Sequence, residues 1–266
     1  MSLFSAEQLT AGYGGKTVLR DLSFSVDTGR LVGVLGANGS GKTTLIKAIC
    51  GILPHEGSCR LAGSALERLS PRLLAKQVSY IPQRSGISID MTALDVVLMG
   101  FNPFLGLLEQ PTADMRAKAH AALITAGLEG KAEENYLHLS EGQKQLCILA
   151  RTLVASGQML LLDEPESALD FRYRYRMLTV IRDWLQTGER CALLALHDPA
   201  LALNFCDELL LLDGGSILGA IRPETDAPAD MERLLSRLYG PVSLTRLTTR
   251  SGKAQLVMLK EEEDAR

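Results

Sequence analysis

No apolar run in this sequence is long enough to cross a bilayer as a helix, which takes about twenty consecutive residues. The nearest candidate, VVLMGFNPFLGLL at 96–108, is too short and is interrupted by Asn102-Pro103. The opening residues, MSLFSAEQLTAGYGG, lack the basic segment and apolar stretch of a secretory signal. Cysteine is scarce: Cys50, Cys59, Cys147, Cys191 and Cys206 make an odd five, with no CxxC pair. That pattern argues against a disulfide framework or a metal site and fits a reducing compartment. Cys147 and Cys191 fall inside apolar runs, where a free thiol is expected to be buried. Positive charge is not in excess either. With 28 Lys+Arg against 31 Asp+Glu the net charge is −3, so no basic field argues for nucleic acid or an anionic membrane surface. The expectation is a soluble cytoplasmic chain with no nucleic-acid partner.

What is present is ample core material. Of 266 residues, 46% are hydrophobic and 22% charged, enough for one large domain with an inserted subdomain. LVGVL at 31–35 is a short β-rich run; three further runs, MLLL at 159–162, CALLAL at 191–196 and ELLLL at 208–212, are continuous rather than alternating, as in strands buried on both faces. Helical patterns at 171–186 and 199–206 lie between them. Alternating strands and helices imply an α/β fold with a mostly parallel sheet. Residues 86–157 read differently: 92–100, 112–127 and 142–156 carry helical patterns with no buried-strand run, as in an inserted helical subdomain. The first thirty residues alternate like a small antiparallel sheet. The expected core is thus 1–85 plus 158–221. The tail, 222–266, predicts the helix DMERLLSRLYG, two short strands about the turn RSGK, and a solvated acidic end, KEEEDAR.

The chemistry concentrates at strand ends. Gly36-Ala37-Asn38-Gly39-Ser40-Gly41-Lys42-Thr43 fits GxxxxGK[ST] in full, between a strand-like run and a helix-like one. Glycines let backbone N–H groups converge on phosphate oxygens, Lys42 reaches the β- and γ-phosphates, and the Thr43 hydroxyl is a Mg²⁺ ligand. The helix start adds its dipole. Asp163-Glu164 closes a buried run: Asp163 can hold Mg²⁺ through water, and Glu164 can polarise an attacking water as general base. His197 also follows a buried run, where it can hydrogen-bond a γ-phosphate. Gln83, after VSYI, can ligate Mg²⁺ and position water. Tyr13 can stack on an adenine ring, an interaction worth about 1–3 kcal/mol. Taken singly, a Gln after a strand is more simply a surface residue and a lone His a structural one, but the place of His197 at a buried strand's end favours a role at the phosphate; the plain alternative for Tyr13 is a half-buried packing residue.

Together, in this order, the motifs resemble the nucleotide-binding subunit of an ABC transporter over nearly the whole chain. Tyr13 matches the adenine-stacking aromatic, 36–43 with Thr44 the Walker A loop, and Gln83 the Q-loop. LSEGQ at 139–143 matches the signature, MLLLDE at 159–164 the Walker B strand, SALD at 167–170 the D-loop, and His197 the switch histidine. The resemblance implies a P-loop NTPase (RecA-like) core, with an N-terminal antiparallel β subdomain and an inserted α-helical subdomain. It implies ATP and Mg²⁺, and a homodimer in which Ser140, Gly142 and Gln143 of one copy reach the ATP bound by the other. It also implies separate membrane permease subunits, docked on a groove of the helical subdomain, and indirectly a solute-binding protein. The chain would lie on the inner face of the cell membrane.

The text around 96–108 and LLSRLYGPV is similar to importers of iron chelates, haem and cobalamin, and also to molybdate ATPases. A soluble ABC ATPase without a membrane partner is the alternative; a P-loop kinase fits LSEGQ poorly. Phe101, Phe104, Leu105 and Leu107 either line the permease groove or belong to the core. Two residues depart from the family pattern. Glu141 stands where a glycine is usual and is expected to point away from nucleotide. Glu166 stands where a small hydroxyl residue is usual and is expected to be exposed. Replacement of Lys42 by Ala should abolish most nucleotide affinity, read by fluorescent-ATP titration, and nearly all turnover; unchanged hydrolysis would remove the P-loop assignment.

Overall fold

The alternating N-terminal segments form β1 (Ser2–Tyr13) and β2 (Lys16–Asp27), an antiparallel pair. The apolar run β3 (Leu31–Leu35) follows, buried throughout, and leads through the glycine loop into α1 (Lys42–Ile49). β4 (His55–Leu61) returns to pair with β1, and β5 (Ser64–Ala65) with β4, giving an antiparallel sheet of order β2-β1-β4-β5. Sequence patterning does not reveal β4, because HEGSCRL buries only Cys59 and Leu61. The coordinates are a computed structural model that describes residues 2–261 apart from 84, 85, 89, 156, 167 and 168.

α2 (Pro71–Gln77), capped by the Ser70 hydroxyl, leads to β6 (Val78–Ile81). Next come α3 (Ala93–Leu98), α4 (Ala113–Ala126) and α5 (Glu141–Val154), with side-chain caps from Thr92, Thr112 and Ser140. β7 (Met159–Asp163), α6 (Phe171–Leu185), β8 (Cys191–Ala195), α7 (Pro199–Phe205), β9 (Glu208–Asp213) and β10 (Ser216–Ile221) complete the alternation. The tail holds α8 (Pro228–Tyr239) and the hairpin of β11 (Val242–Thr248) with β12 (Ala254–Lys260). Of the acidic end, residues 262–266 lie outside the described residues.

The main sheet has the order β10-β9-β3-β8-β7-β6, parallel except for the edge strand β10. Each central strand is apolar throughout because each face meets its own core. Val32, Val34, Met159, Leu161, Leu193 and Ala195 pack with α1 and the antiparallel sheet. Leu31, Leu35, Leu160, Leu162, Ala192 and Leu194 pack with the helices on the other side. The period-2 alternation of side chains thus splits one run of leucines between two cores. Register sets the site. Val34 pairs with Ala195, and Asp163 with Ala195, so β3, β7 and β8 end abreast and deliver the glycine loop, Asp163-Glu164 and His197 to one edge.

All five thiols are free, and four are fully buried. Burial pushes Cys50 up to about 11 and Cys59, Cys147 and Cys191 up to about 12, so the reactive thiolate is suppressed. A thiol reagent at about pH 8, near the ordinary cysteine pKa, should therefore leave the native chain almost unmodified. The same reagent in guanidinium should label all five cysteines. Rapid labelling of Cys147 or Cys191 in the folded protein would contradict this packing.

Candidate nucleotide site

The loop between β3 and α1 is built by close approach. A Cβ on Gly36 would lie 2.3 Å from the carbonyl oxygen of Leu212, so no larger residue fits there. Gly41 has φ 110°, a backbone region that side chains disfavour, and it starts α1 without any side-chain cap. No acidic residue occupies the first turn of α1. Its open N–H groups and dipole therefore face a cleft of about 360 Å³, lined by Val18, residues 38–44 and Glu164. Lys42 is buried; its ammonium donates to the Gly36 carbonyl at 2.8 Å and lies 3.4 Å from Glu164 Oε1. The Thr43 hydroxyl donates to Asp163 Oδ1 at 2.9 Å. Burial raises the pKa of Asp163, opposed by the Thr43 hydrogen bond and reinforced by the charge of Glu164.

Glu164 is the meeting point. Its φ is +50°, a left-handed conformation that costs a non-glycine residue about 1–3 kcal/mol and recurs at functional sites. Its N–H donates to the Ala195 carbonyl at 3.2 Å, tying the exit of β7 to β8. Its carboxylate is buried, and Oε2 accepts from Gln83 Nε2 at 2.8 Å and stands 2.5 Å from His197 Nε2. Lys42, Thr43, Gln83, Asp163, Glu164 and His197 are thus joined by direct polar contacts, although they come from four separate segments. Asn38, Gly39, Ser40, Gly41 and Thr44 line the same cleft.

Other sequence candidates stand apart. Tyr13 ends β1 half-exposed, and Val18 of the neighbouring strand, not Tyr13, lines the cleft. Ser140, Gly142 and Gln143 begin α5 and contribute nothing to the cleft of their own chain. Ser140 and Gln143 form a reciprocal capping box: Ser140 Oγ accepts the Gln143 N–H at 3.3 Å, and Gln143 Oε1 accepts the Ser140 N–H at 2.9 Å. Glu141 is exposed and pairs with Lys144 at 2.8 Å on the helix surface. Of SALD, Ser167 and Ala168 lie outside the described residues; Leu169 is buried, and Asp170 caps α6 by accepting the Tyr173 N–H at 3.0 Å.

One expectation is corrected. Glu166 is not exposed: it is 1% accessible, because its carboxylate turns inward and accepts the backbone N–H of His197 at 3.0 Å. A charged residue type in a loop predicts solvent, and here a backbone donor in the neighbouring loop overrides that. Of the two alternatives for Phe101, Phe104, Leu105 and Leu107, the core holds for Phe101 and Leu105, and none of the four is among the residues lining the groove beside the helices. Phe101 is in the core, Leu105 packs against it, Phe104 sits under the Lys76 ammonium, and Leu107 is 97% exposed. The groove itself, about 780 Å³, is walled by Leu53, Leu74, Tyr80, Met99, Pro103 and Arg151, among others. It lies between the helical segment and the region around α2, so its residues are dispersed in sequence.

The fold and cleft define a P-loop nucleotide-binding α/β protein. More particularly, the ABC transporter family profile matches residues 19–167, and the chain belongs to that family. It is 38% identical over 240 residues to the hemin import ATP-binding protein HmuV of Bordetella pertussis, covering 86% of this chain and 90% of the relative. It is 34% identical over 220 residues to the cobalamin import ATP-binding protein BtuD of Halobacterium salinarum, covering 82% of this chain but 55% of that one. The chain thus spans about half the length of the Halobacterium relative. Among solved structures, an ATP binding subunit of an ABC transporter superposes with a TM-score of 0.76 at 26% identity, over 90% of this chain and 98% of the other. A chain described as part of a metal-chelate type ABC transporter reaches 0.82 at 24% identity, over 98% and 99%, a likeness of fold.

Gly142 has a packing constraint of its own. A Cβ there would fall 2.5 Å from the ring of Tyr173 on α6. Substitution of Gly142 by Ala should destabilise the chain by about 1–3 kcal/mol through overpacking, measured by urea unfolding. Adding Tyr173→Ala should recover part of that loss; an additive double variant would mean the contact is not the cause.

Proposed function

We propose that this chain is the ATP-hydrolysing subunit of a bacterial or archaeal ABC importer. It closes as a homodimer around two ATP molecules and drives a separate membrane permease for an iron chelate, haem or a cobalamin-type solute. The observation that carries the reading is the set of direct contacts that gathers Lys42, Gln83 and His197 on the carboxylate of Glu164, beside the uncapped start of α1.

The geometry supports a division of labour. The loop N–H groups and Lys42 bind the phosphates, with Tyr13 stacking on the base from the strand edge. A triphosphate on the loop competes with Glu164 for the Lys42 ammonium, and this frees Oε1 to take a proton from the attacking water. Gln83 and His197 keep Oε2 oriented, and His197, with a partly exposed ring, can also meet the terminal phosphate. Thr43, Asp163 and the amide oxygen of Gln83 are hard oxygen donors of the kind Mg²⁺ prefers, and the Thr43–Asp163 contact shows two of them already adjacent. When bound, Mg²⁺ would neutralise charge developing on the phosphates.

The signature at the start of α5 serves a second copy in this reading. Ser140, Gly142 and Gln143 lie away from their own cleft and face the nucleotide of the partner, an isologous arrangement. The Lys144 contact holds the Glu141 carboxylate off the helix end. The import class is supported by relatives named for hemin and cobalamin import. No helix among the described residues is long and apolar enough to cross a membrane; the solute path then belongs to permease subunits docked in the groove beside Met99 and Pro103, with a solute-binding protein upstream. The chain then works at the inner face of the cell membrane.

Glu164→Gln should bind ATP without turnover and accumulate as an ATP-bound dimer on size exclusion with light scattering. An ATP-bound monomer would contradict the shared site. Co-purification with a permease and stimulation of ATPase activity by haem or an iron chelate test the import class.

A further inference from the structure

Glu166 contributes nothing to the nucleotide cleft, yet it is among the most deeply buried charged-type side chains among the described residues. Oε1 accepts the backbone N–H of His197 at 3.0 Å, and Oε2 has no hydrogen-bond partner among the described residues. A buried carboxyl with a bare oxygen is unfavourable, and an aliphatic side chain of similar size would pack there at lower cost. Burial accordingly raises the pKa of Glu166, against the backbone hydrogen bonds.

What the carboxyl supplies is a link between two loops. The exits of β7 and β8 are stitched twice: Glu164 N–H to the Ala195 carbonyl at 3.2 Å, and His197 N–H to Glu166 Oε1 at 3.0 Å. The second bond is made by the residue whose imidazole ends 2.5 Å from Glu164 Oε2. The His197 side chain is 40% exposed, so packing alone does not fix it. Its height above the cleft is set by its backbone, and its backbone is held by Glu166.

We propose that Glu166 is a positioning residue for ATP hydrolysis, anchoring the loop after β8 so that His197 meets Glu164 and the terminal phosphate. The proposal rests on the reading of Glu164 and His197 as the hydrolytic pair. The carboxylate oxygen acts as an acceptor only, so an amide oxygen in the same place does the same work. An apolar side chain of similar volume fills the space but releases the loop.

The test uses the full chain with ATP and Mg²⁺. Glu166→Leu should lower kcat about tenfold or more while KM for ATP stays within about twofold, the pattern of an interaction that matters in the transition state. Its melting temperature should be unchanged or higher, since replacing a buried carboxyl by a packed apolar group is often neutral or stabilising. Hydrogen exchange at the His197 amide should accelerate. Glu166→Gln should restore both kcat and amide protection to near wild type. Wild-type kcat and protection in Glu166→Leu, beside an inactive Glu164→Gln, would overturn the proposal alone, as would equal loss in the Leu and Gln variants. Wild-type hydrolysis by Glu164→Gln or His197→Ala would remove the hydrolytic pair itself.

Discussion

The carboxylate of Glu164 is the constraint on which the site depends. It is buried, left-handed in backbone, and contacted by Lys42, Gln83 and His197. A buried charge is tolerable only when paired and hydrogen-bonded, so these donors are obliged to stand where they do. Each comes from the end of a different strand of one sheet, or from the helix that follows one. The arrangement therefore has no freedom that the sheet does not also have.

The sheet in turn is held by apolar burial on both faces. Leucines alternate between the core beneath α1 and the core beneath the helices, and a shift of one residue in any central strand would exchange them. The register that satisfies both cores is the register that sets Val34 and Asp163 on either side of Ala195. Stability and chemistry share one geometric condition.

Much of this was legible in the sequence, for reasons particular to its elements. A strand buried on both faces has a strongly apolar signature, so MLLL, CALLAL and ELLLL place β7, β8 and β9, while LVGVL places β3 as a β-rich run before the glycine loop. The glycine loop carries its own spacing, and strand ends then suggested Asp163, Glu164 and His197. β4 was hidden because an edge-region strand that buries only Cys59 and Leu61 has no pattern to show. Glu166 was hidden for a different reason: its partner is a backbone N–H, and a backbone donor leaves no trace in side-chain identity. The walls of the groove beside the helices come from α2, β6, the turn after α3 and the end of α5, dispersed positions that only folding collects.

In the proposed function one chain holds the hydrolytic carboxylate and a second chain completes the site from the start of α5. The most direct measurement is the rate of ATP hydrolysis per chain as protein concentration is raised through the range in which the dimer forms, at saturating ATP and Mg²⁺. A two-chain catalyst gives a rate per chain that rises from near zero in proportion to protein concentration, the total rate rising as its square, and then levels off once the dimer is fully formed. Constant turnover per chain, down to concentrations at which light scattering finds only monomer, would contradict it.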